Sequence, residues 1–370
     1  MANRQIYMLK IALIATLVYG GFFPVSVFAE TESSLNGPQA LLYVTNSPKS
    51  LASLREHVSA NDIISPQTYT VNSAGKLFGV PKKEVLEVAT KHGAKVMPLV
   101  SNQNFNQKTV HAFLINKKAQ TTLVNSLIKE AKKRKYIGYQ YDFEHMLYTD
   151  RNLYSSFVKK SAESFHKAGL KLSVAVSPLH SDDALAYGPG SWKNWTGAFD
   201  YKALGESADF ISVMAYDDSL SVGPVASLPW VEQVIDYSLK KIPAHKISIG
   251  IPAYAWVWND KTGKRVRARG YSSLEPIISS GSFLANGHSD EHSVSYLTYA
   301  KDNIKYTAWY EDGKSFERKL ALAKSKGIQS YSLWALGLEH PELWNKKALA
   351  ELPDSGLNLA SSSQVAIENR

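Results

Sequence analysis

Short runs of β-formers recur along the chain with helical stretches between them, and that rhythm admits few folds. The candidate strands are Leu41 to Thr45, Ile63 to Tyr69, Lys95 to Val100, Ile137 to Phe143, Leu172 to Ser177, Phe210 to Ala215, Ile247 to Pro252 and Gln329 to Trp334. Several are almost continuously apolar, as strands buried on both faces should be. Helical periodicity falls between them, over Lys82 to His92, Thr121 to Lys135, Arg151 to Ala168, Trp230 to Lys241 and Ser315 to Lys326. Three of these stretches run into a glycine before the next strand, at Gly93, Gly169 and Gly327. A glycine there takes the left-handed conformation that ends a helix. Eight such units predict an α/β chain, either a closed (β/α)8 TIM barrel or a large doubly wound sheet. No Gly-rich phosphate loop follows the first strand, which weakens the nucleotide-binding alternative.

The rhythm breaks between Tyr254 and Trp309. Trp256 to Asp260, a turn at Lys261-Thr262-Gly263, and Lys264 to Arg269 read as a hairpin. A small α+β insertion after strand 7, at about residues 255–308, is the expectation. Lys264, Arg265, Arg267 and Arg269 make a basic stripe there, read first as a solvated hairpin face and second as a grip on an anionic polymer.

The ends read differently. Arg4 and Lys10, an apolar stretch from Ile11 to Phe23, and Val27-Phe28-Ala29 resemble a secretory signal over residues 1–29. The catalytic barrel is expected over 30–352, with a flexible Ser- and Asn-rich tail at 353–370. Without the signal the formal charge falls from +9 to +7. The chain has no cysteine, which removes disulfides, thiolate metal sites and a thiol nucleophile. Together these features suggest export to a bacterial envelope or medium, with no nucleic-acid partner and no stable membrane insertion once the signal is removed. A monomer is expected.

The densest chemistry is Gly138-Tyr139-Gln140-Tyr141-Asp142-Phe143-Glu144. On a strand, Gln140, Asp142 and Glu144 share one face and Tyr139, Tyr141 and Phe143 the other. In a barrel the polar face points inward, and Glu144 comes last, at the C-terminal mouth where barrel enzymes keep their chemistry. Two carboxyls so close are expected to have their pKa values pushed apart, leaving one protonated near neutrality as a general acid.

This run resembles the strand-four signature of glycoside hydrolase family 18, Asp-x-x-Asp-x-Asp-x-Glu. Met214-Ala215-Tyr216-Asp217, Ile249-Gly250-Ile251-Pro252-Ala253-Tyr254 and Ser332-Leu333-Trp334 are similar to the family's sixth, seventh and eighth strands. Ile64-Ser65-Pro66, Pro98 to Asn102, Trp309-Tyr310-Glu311-Asp312 and Trp334-Ala335-Leu336-Gly337 resemble its spore-germination and cortex-lytic branch. The resemblance spans about Leu41 to Trp344. Ile137 and Gln140 depart from the signature, standing where it has Asp.

The resemblance implies substrate-assisted hydrolysis of an N-acetylated glycan. Glu144 would be the acid and base, Asp142 would accept the acetamido N–H, and Tyr216 would hold the attacking carbonyl. Gln140 would donate to Asp142 and keep it ionised. Trp334 would floor the sugar site, with Asp217, Met214, Tyr254, Asn102 and Trp309 as further substrate contacts and Glu311 near the mouth. His145 is expected to point away. Peptidoglycan is the first substrate reading, with chitin or an N-glycan as alternatives. A non-catalytic lectin is a further alternative, disfavoured because Glu144 is retained. No metal or organic cofactor is implied.

Overall fold

The computed structural model describes residues 39–345, so the signal and tail readings lie outside the described residues. Eight parallel strands form the central sheet: β1 (Gln39–Val44), β2 (Ile63–Val71), β3 (Leu99–Asn102), β4 (Gly138–Asp142), β5 (Lys171–Val176), β6 (Phe210–Val213), β7 (Ile247–Pro252) and, after an insertion, β13 (Ser330–Trp334). β1 pairs with both β13 and β2, which closes the sheet into a (β/α)8 barrel. Closure decides against the doubly wound alternative.

All eight expected strands are present. The third is interrupted: Lys95–Val96 makes a short bridge to β2, and pairing resumes at Leu99. Pro98 lies between, and proline has no N–H to give a ladder.

The helices around the barrel are α1 (Pro48–His57), α2 (Lys83–His92), α3 (Gln107–Ile115), α4 (Lys117–Arg134), α5 (Arg151–Lys167), α6 (Tyr201–Ser207), α7 (Leu228–Leu239) and α8 (Gly313–Ser325), and the insertion adds one turn at Glu275–Ile278. Periodicity missed α1, α3, α6 and the first turn of α4. The join between α3 and α4 is set by a cap, because Asn116 accepts the N–H of Ala119 at 3.0 Å. That bond satisfies one of the orphan donors of a helix start. The helix-ending glycines at 93, 169 and 327 have φ of 70°, 73° and 82°, as their positions required.

The two faces of β4 meet different surroundings. Tyr139, Tyr141 and Phe143 are fully buried against α3 and α5. Tyr141 stacks on Phe157 at 5.1 Å, and Phe113 meets Phe157 edge-on at 5.0 Å. Such pairs add about 0.5–1.5 kcal/mol each beyond burial. The inward face is polar and small. Tyr43, Ser212, Ser332 and Ser248 form one hydrogen-bonded chain across the barrel, with steps of 3.0, 2.7 and 2.6 Å. The chain satisfies these buried hydroxyls, which would otherwise be costly.

The insertion is a five-stranded antiparallel sheet of β8 (Tyr254–Asn259), β9 (Lys264–Gly270), β10 (Phe283–Ser289), β11 (Val294–Lys301) and β12 (Ile304–Tyr310), ordered β9-β8-β12-β11-β10. Its own small core holds Ala255, Val257, Leu297 and Ala308. Where β12 leaves the sheet, Glu311 is buried against Lys319 of α8, with N–O distances of 2.8 and 2.9 Å. Glu311 is therefore a structural ion partner and does not stand at the mouth.

Removing one member of this pair strands a buried charge. Lys319→Met should cost about 3–5 kcal/mol in urea unfolding, and Glu311→Leu combined with Lys319→Met should recover most of it. Equal losses for the single and double variants would show that packing, not the lone charge, is responsible.

Candidate active site

β4 ends at Asp142, so Glu144 lies just beyond the ladder. Its backbone is held instead by a side chain. Asn102, at the end of β3, accepts the Glu144 N–H at 2.9 Å and donates its Nδ2 to the Glu144 carbonyl at 3.0 Å. Asn102 is buried and is not among the cleft-lining residues, so the expected substrate contact is a backbone brace.

The C-terminal mouth opens into a cleft of about 1210 Å³. Asp142, Glu144 and Tyr216 all line it, as do Met214, Asp217, Tyr254 and Trp334. Tyr216 and Asp217 leave the end of β6, and Tyr254 starts β8 directly after β7. Tyr254 donates to Asp217 at 2.5 Å. Asp217 sits at φ 61°, a left-handed conformation that Asp tolerates better than most residues. A Cβ on Gly250 of β7 would come within 2.6 Å of the Val213 carbonyl and 2.9 Å of the Tyr216 ring. Glycine there lets Tyr216 lie against the barrel wall. Trp334 meets Tyr43 edge-on at 5.0 Å and keeps part of its ring open to the cleft.

Burial dominates the electrostatics. It pushes the Asp142 carboxyl above the usual range. Glu144 is raised first by burial, then by the charges of Asp142 and Asp217. The sequence reading expected mutual repulsion to push the two apart; the structure raises both, and desolvation is the larger cause. The pair therefore retains a proton well above the ordinary carboxylate range. Asp217 is raised by burial too, opposed by the Tyr254 hydroxyl and the Arg265 charge.

Two further expectations are corrected. The Gln140 amide donates to Ser173 of β5 at 2.9 Å, not to Asp142. Trp309 is opposite Trp256 in the sheet but is absent from the cleft lining, because the loop at Gly223 lies against its ring. His145 is outside the cleft lining, as expected, with its Nδ1 3.0 Å from the Phe105 carbonyl. It stacks on Trp195 at 4.6 Å, and Trp195 lines the cleft.

The sequence reading missed His180, Trp195, Trp256 and Trp258, which also line the cleft. Trp256 and Trp258 were legible as alternate residues of a hairpin strand, and so as one face. Nothing in the sequence aimed that face at the barrel mouth. The basic stripe divides. All three arginines of β9 contribute to the cleft wall, but a bulge at Val266 breaks the alternation. Arg265 pairs with Trp258 on the cleft face, while Arg267 and Arg269 pair with the buried Val257 and Ala255.

This geometry has close counterparts. The profile of glycosyl hydrolases family 18 matches residues 7–339. The chain is 30% identical over 312 residues to an uncharacterized glycosylase, YvbX, of Bacillus subtilis (strain 168), covering 82% of this chain and 88% of that protein. It is 28% identical over 279 residues to the cortical fragment-lytic enzyme of the same strain, covering 73% of this chain and 63% of that enzyme, less than two thirds of its length. A solved chitinase from Chromobacterium violaceum ATCC 12472 superposes with a TM-score of 0.73 at 26% identity, covering 83% of this chain and 96% of that one. The spore cortex-lytic enzyme SleL of Bacillus megaterium QM B1551 superposes with a TM-score of 0.72 at 25% identity, covering 84% and 74%. A profile match across most of the chain, on a closed barrel with its carboxyls at the C-terminal mouth, means that this chain belongs to glycosyl hydrolase family 18 and is a glycoside hydrolase.

Proposed function

We propose that the chain cleaves the β-1,4 linkage after N-acetylglucosamine in bacterial peptidoglycan, with retention, using the substrate's acetamido group as nucleophile. The observation that carries this reading is the convergence of Asp142, Glu144 and Tyr216 on one aromatic-lined cleft. The cleft exceeds the ~300–1,000 Å³ common for small-ligand pockets and suits an oligosaccharide.

In this mechanism Glu144 gives its proton to the glycosidic oxygen, and the leaving sugar departs. The acetamido carbonyl oxygen attacks the anomeric carbon and closes an oxazolinium ring. Asp142 accepts the acetamido N–H and offsets the developing positive charge. Tyr216 donates to the attacking oxygen and fixes its angle. Glu144, now a carboxylate, takes a proton from water as that water opens the ring. Asn102 keeps Glu144 in register through both half-reactions. The carboxyl's raised pKa suits the first step, because an acid must hold its proton at working pH.

The wall polymer is favoured over chitin by the company the chain keeps. One relative is named for lysing cortical fragments, and a solved neighbour is a spore cortex-lytic enzyme. A secretory signal over residues 1–29 would take the enzyme to that polymer. The chitinase among the similar structures keeps chitin as the second substrate to try.

Glu144→Gln should lower kcat by about 10²–10⁴ on peptidoglycan with binding retained. The native protein should release fragments ending in reducing N-acetylglucosamine and should not cut a de-N-acetylated glycan. Cutting of the de-N-acetylated polymer would rule out the acetamido nucleophile.

Two pH effects follow. Gln140 lies two residues before Asp142 on the inward face, so Gln140→Asp sets a like charge near it and raises its pKa further. The acidic limb of the kcat/KM profile should move to higher pH; an unmoved limb would remove Gln140 from the site's electrostatics. Glu144 also affects stability. A carboxyl whose folded pKa exceeds its unfolded value stabilises the fold below the unfolded value, and that contribution is lost as pH rises through the folded value. Glu144→Gln removes this loss. Its urea midpoint should gain on the native protein as pH rises from acid to alkaline, and a constant gap would contradict the burial argument.

A further inference from the structure

The mechanism above gives the arginines of the cleft wall no task, and Arg265 is the one of them turned to the face of Trp256 and Trp258. Arg265 stands exposed on β9, and its guanidinium lies 3.9 Å over the Trp256 ring. It makes no ion pair with any described residue. The barrel side of the cleft is acidic, with Asp142, Glu144, Asp217 and Asp218, and the β9 wall carries Arg265, Arg267 and Arg269. An apolar sugar face needs only open rings such as those of Trp258 and Trp195. A guanidinium held over the Trp256 ring adds something a neutral sugar does not require: two parallel N–H donors in the geometry of a carboxylate.

The bulge at Val266 matters here. Unbroken alternation from Arg269 would turn residue 265 to the face of Val257. The extra residue returns Arg265 to the face of Trp256 and Trp258. Bulges of this kind re-aim single side chains. β9 is also the edge of its sheet, and its residues from Arg265 to Gly270 line the cleft. Its outer main-chain N–H and C=O groups are therefore open to a ligand on the same wall.

We propose that Arg265 reads a carboxylate carried on the substituent of an amino sugar in the bound glycan, with the open edge of β9 beside it taking that substituent's amide groups. This rests on the reading that the cleft holds an N-acetylated glycan. Chitin carries no such carboxylate. The wall polymer carries one from either of two sources: the lactyl ether itself where the peptide is missing, or the peptide where it is present. Arg265 is then a specificity residue that separates the two polymers without touching the reacting atoms.

The test uses the Glu144→Gln protein, which binds without turnover, and calorimetry against three glycan oligosaccharides. One carries intact peptides, one has them removed to leave free lactyl carboxylates, and one has those carboxylates methyl-esterified. At least one charged glycan should bind about tenfold more tightly than the ester, a preference that weakens with salt. Adding Arg265→Gln should bring that ratio close to one, while Arg265→Lys should keep part of it. Whichever charged glycan carries the preference identifies the source. Thermal melts of each variant confirm that the fold is intact. A preference that survives Arg265→Gln, or that never existed, overturns the proposal. Hydrolysis by the native protein is scored separately. Preferential binding of charged glycans that are never cut would sink the peptidoglycan hydrolase reading and leave Arg265 in its role. Cutting without an Arg265-dependent preference would do the reverse.

Discussion

Burial of two carboxyls at the open end of β4 governs the site. Asp142 closes the strand and Glu144 follows it, both on the face turned into the barrel. Their burial makes ionisation costly, so both groups hold protons more tightly than in solution. A barrel mouth supplies this setting readily. Its walls are the ends of strands whose backbones are already paired, so little besides the substrate can solvate the charge.

The opposite face of the same strand makes the placement rigid. Tyr139, Tyr141 and Phe143 fill the layer between sheet and helices, with Phe113 and Phe157 across from them. A slip of one residue would turn these rings inward and the carboxyls outward. Inside, the serines of β6, β7 and β13 take little space and satisfy each other. That leaves room below Asp142 for the Gln140 side chain, and above it for a sugar. Past the ladder, the Asn102 carboxamide substitutes for a missing strand neighbour by giving and accepting one hydrogen bond each.

The insertion turns a barrel mouth into a cleft. It brings Tyr254, Trp256 and Trp258 to one side, while Trp195 stands on the loop after β5, braced by His145. Polysaccharide recognition needs such extended aromatic walls more than it needs many hydrogen bonds, because each sugar offers a flat apolar face. Asp142, Glu144 and Tyr216 come from the barrel, and the aromatic wall with the arginines of β9 comes largely from the inserted sheet.

The amino-acid sequence by itself determined the strands, because apolar runs of β-formers bounded by helix-ending glycines are local signals. It also determined which side of β4 is chemical, since strand alternation follows from backbone geometry alone. Asp142, Glu144, Tyr216, Asp217 and Tyr254 were all legible, each at a strand end where a barrel opens. α1, α3 and α6 were not among the helices read from periodicity, and the first turn of α4 was missed because a cap rather than an apolar stripe sets it. Tertiary structure decided whatever depended on a partner distant in sequence. Asn102 reads as a substrate contact until β3 and β4 lie side by side and its carboxamide meets the Glu144 backbone. Glu311 reads as a mouth residue until α8 brings Lys319 against it. Arg265, Arg267 and Arg269 read as one stripe until pairing with β8 inserts a bulge. In each case the deciding term is a hydrogen bond, an ion pair or a register that exists only once two remote segments meet.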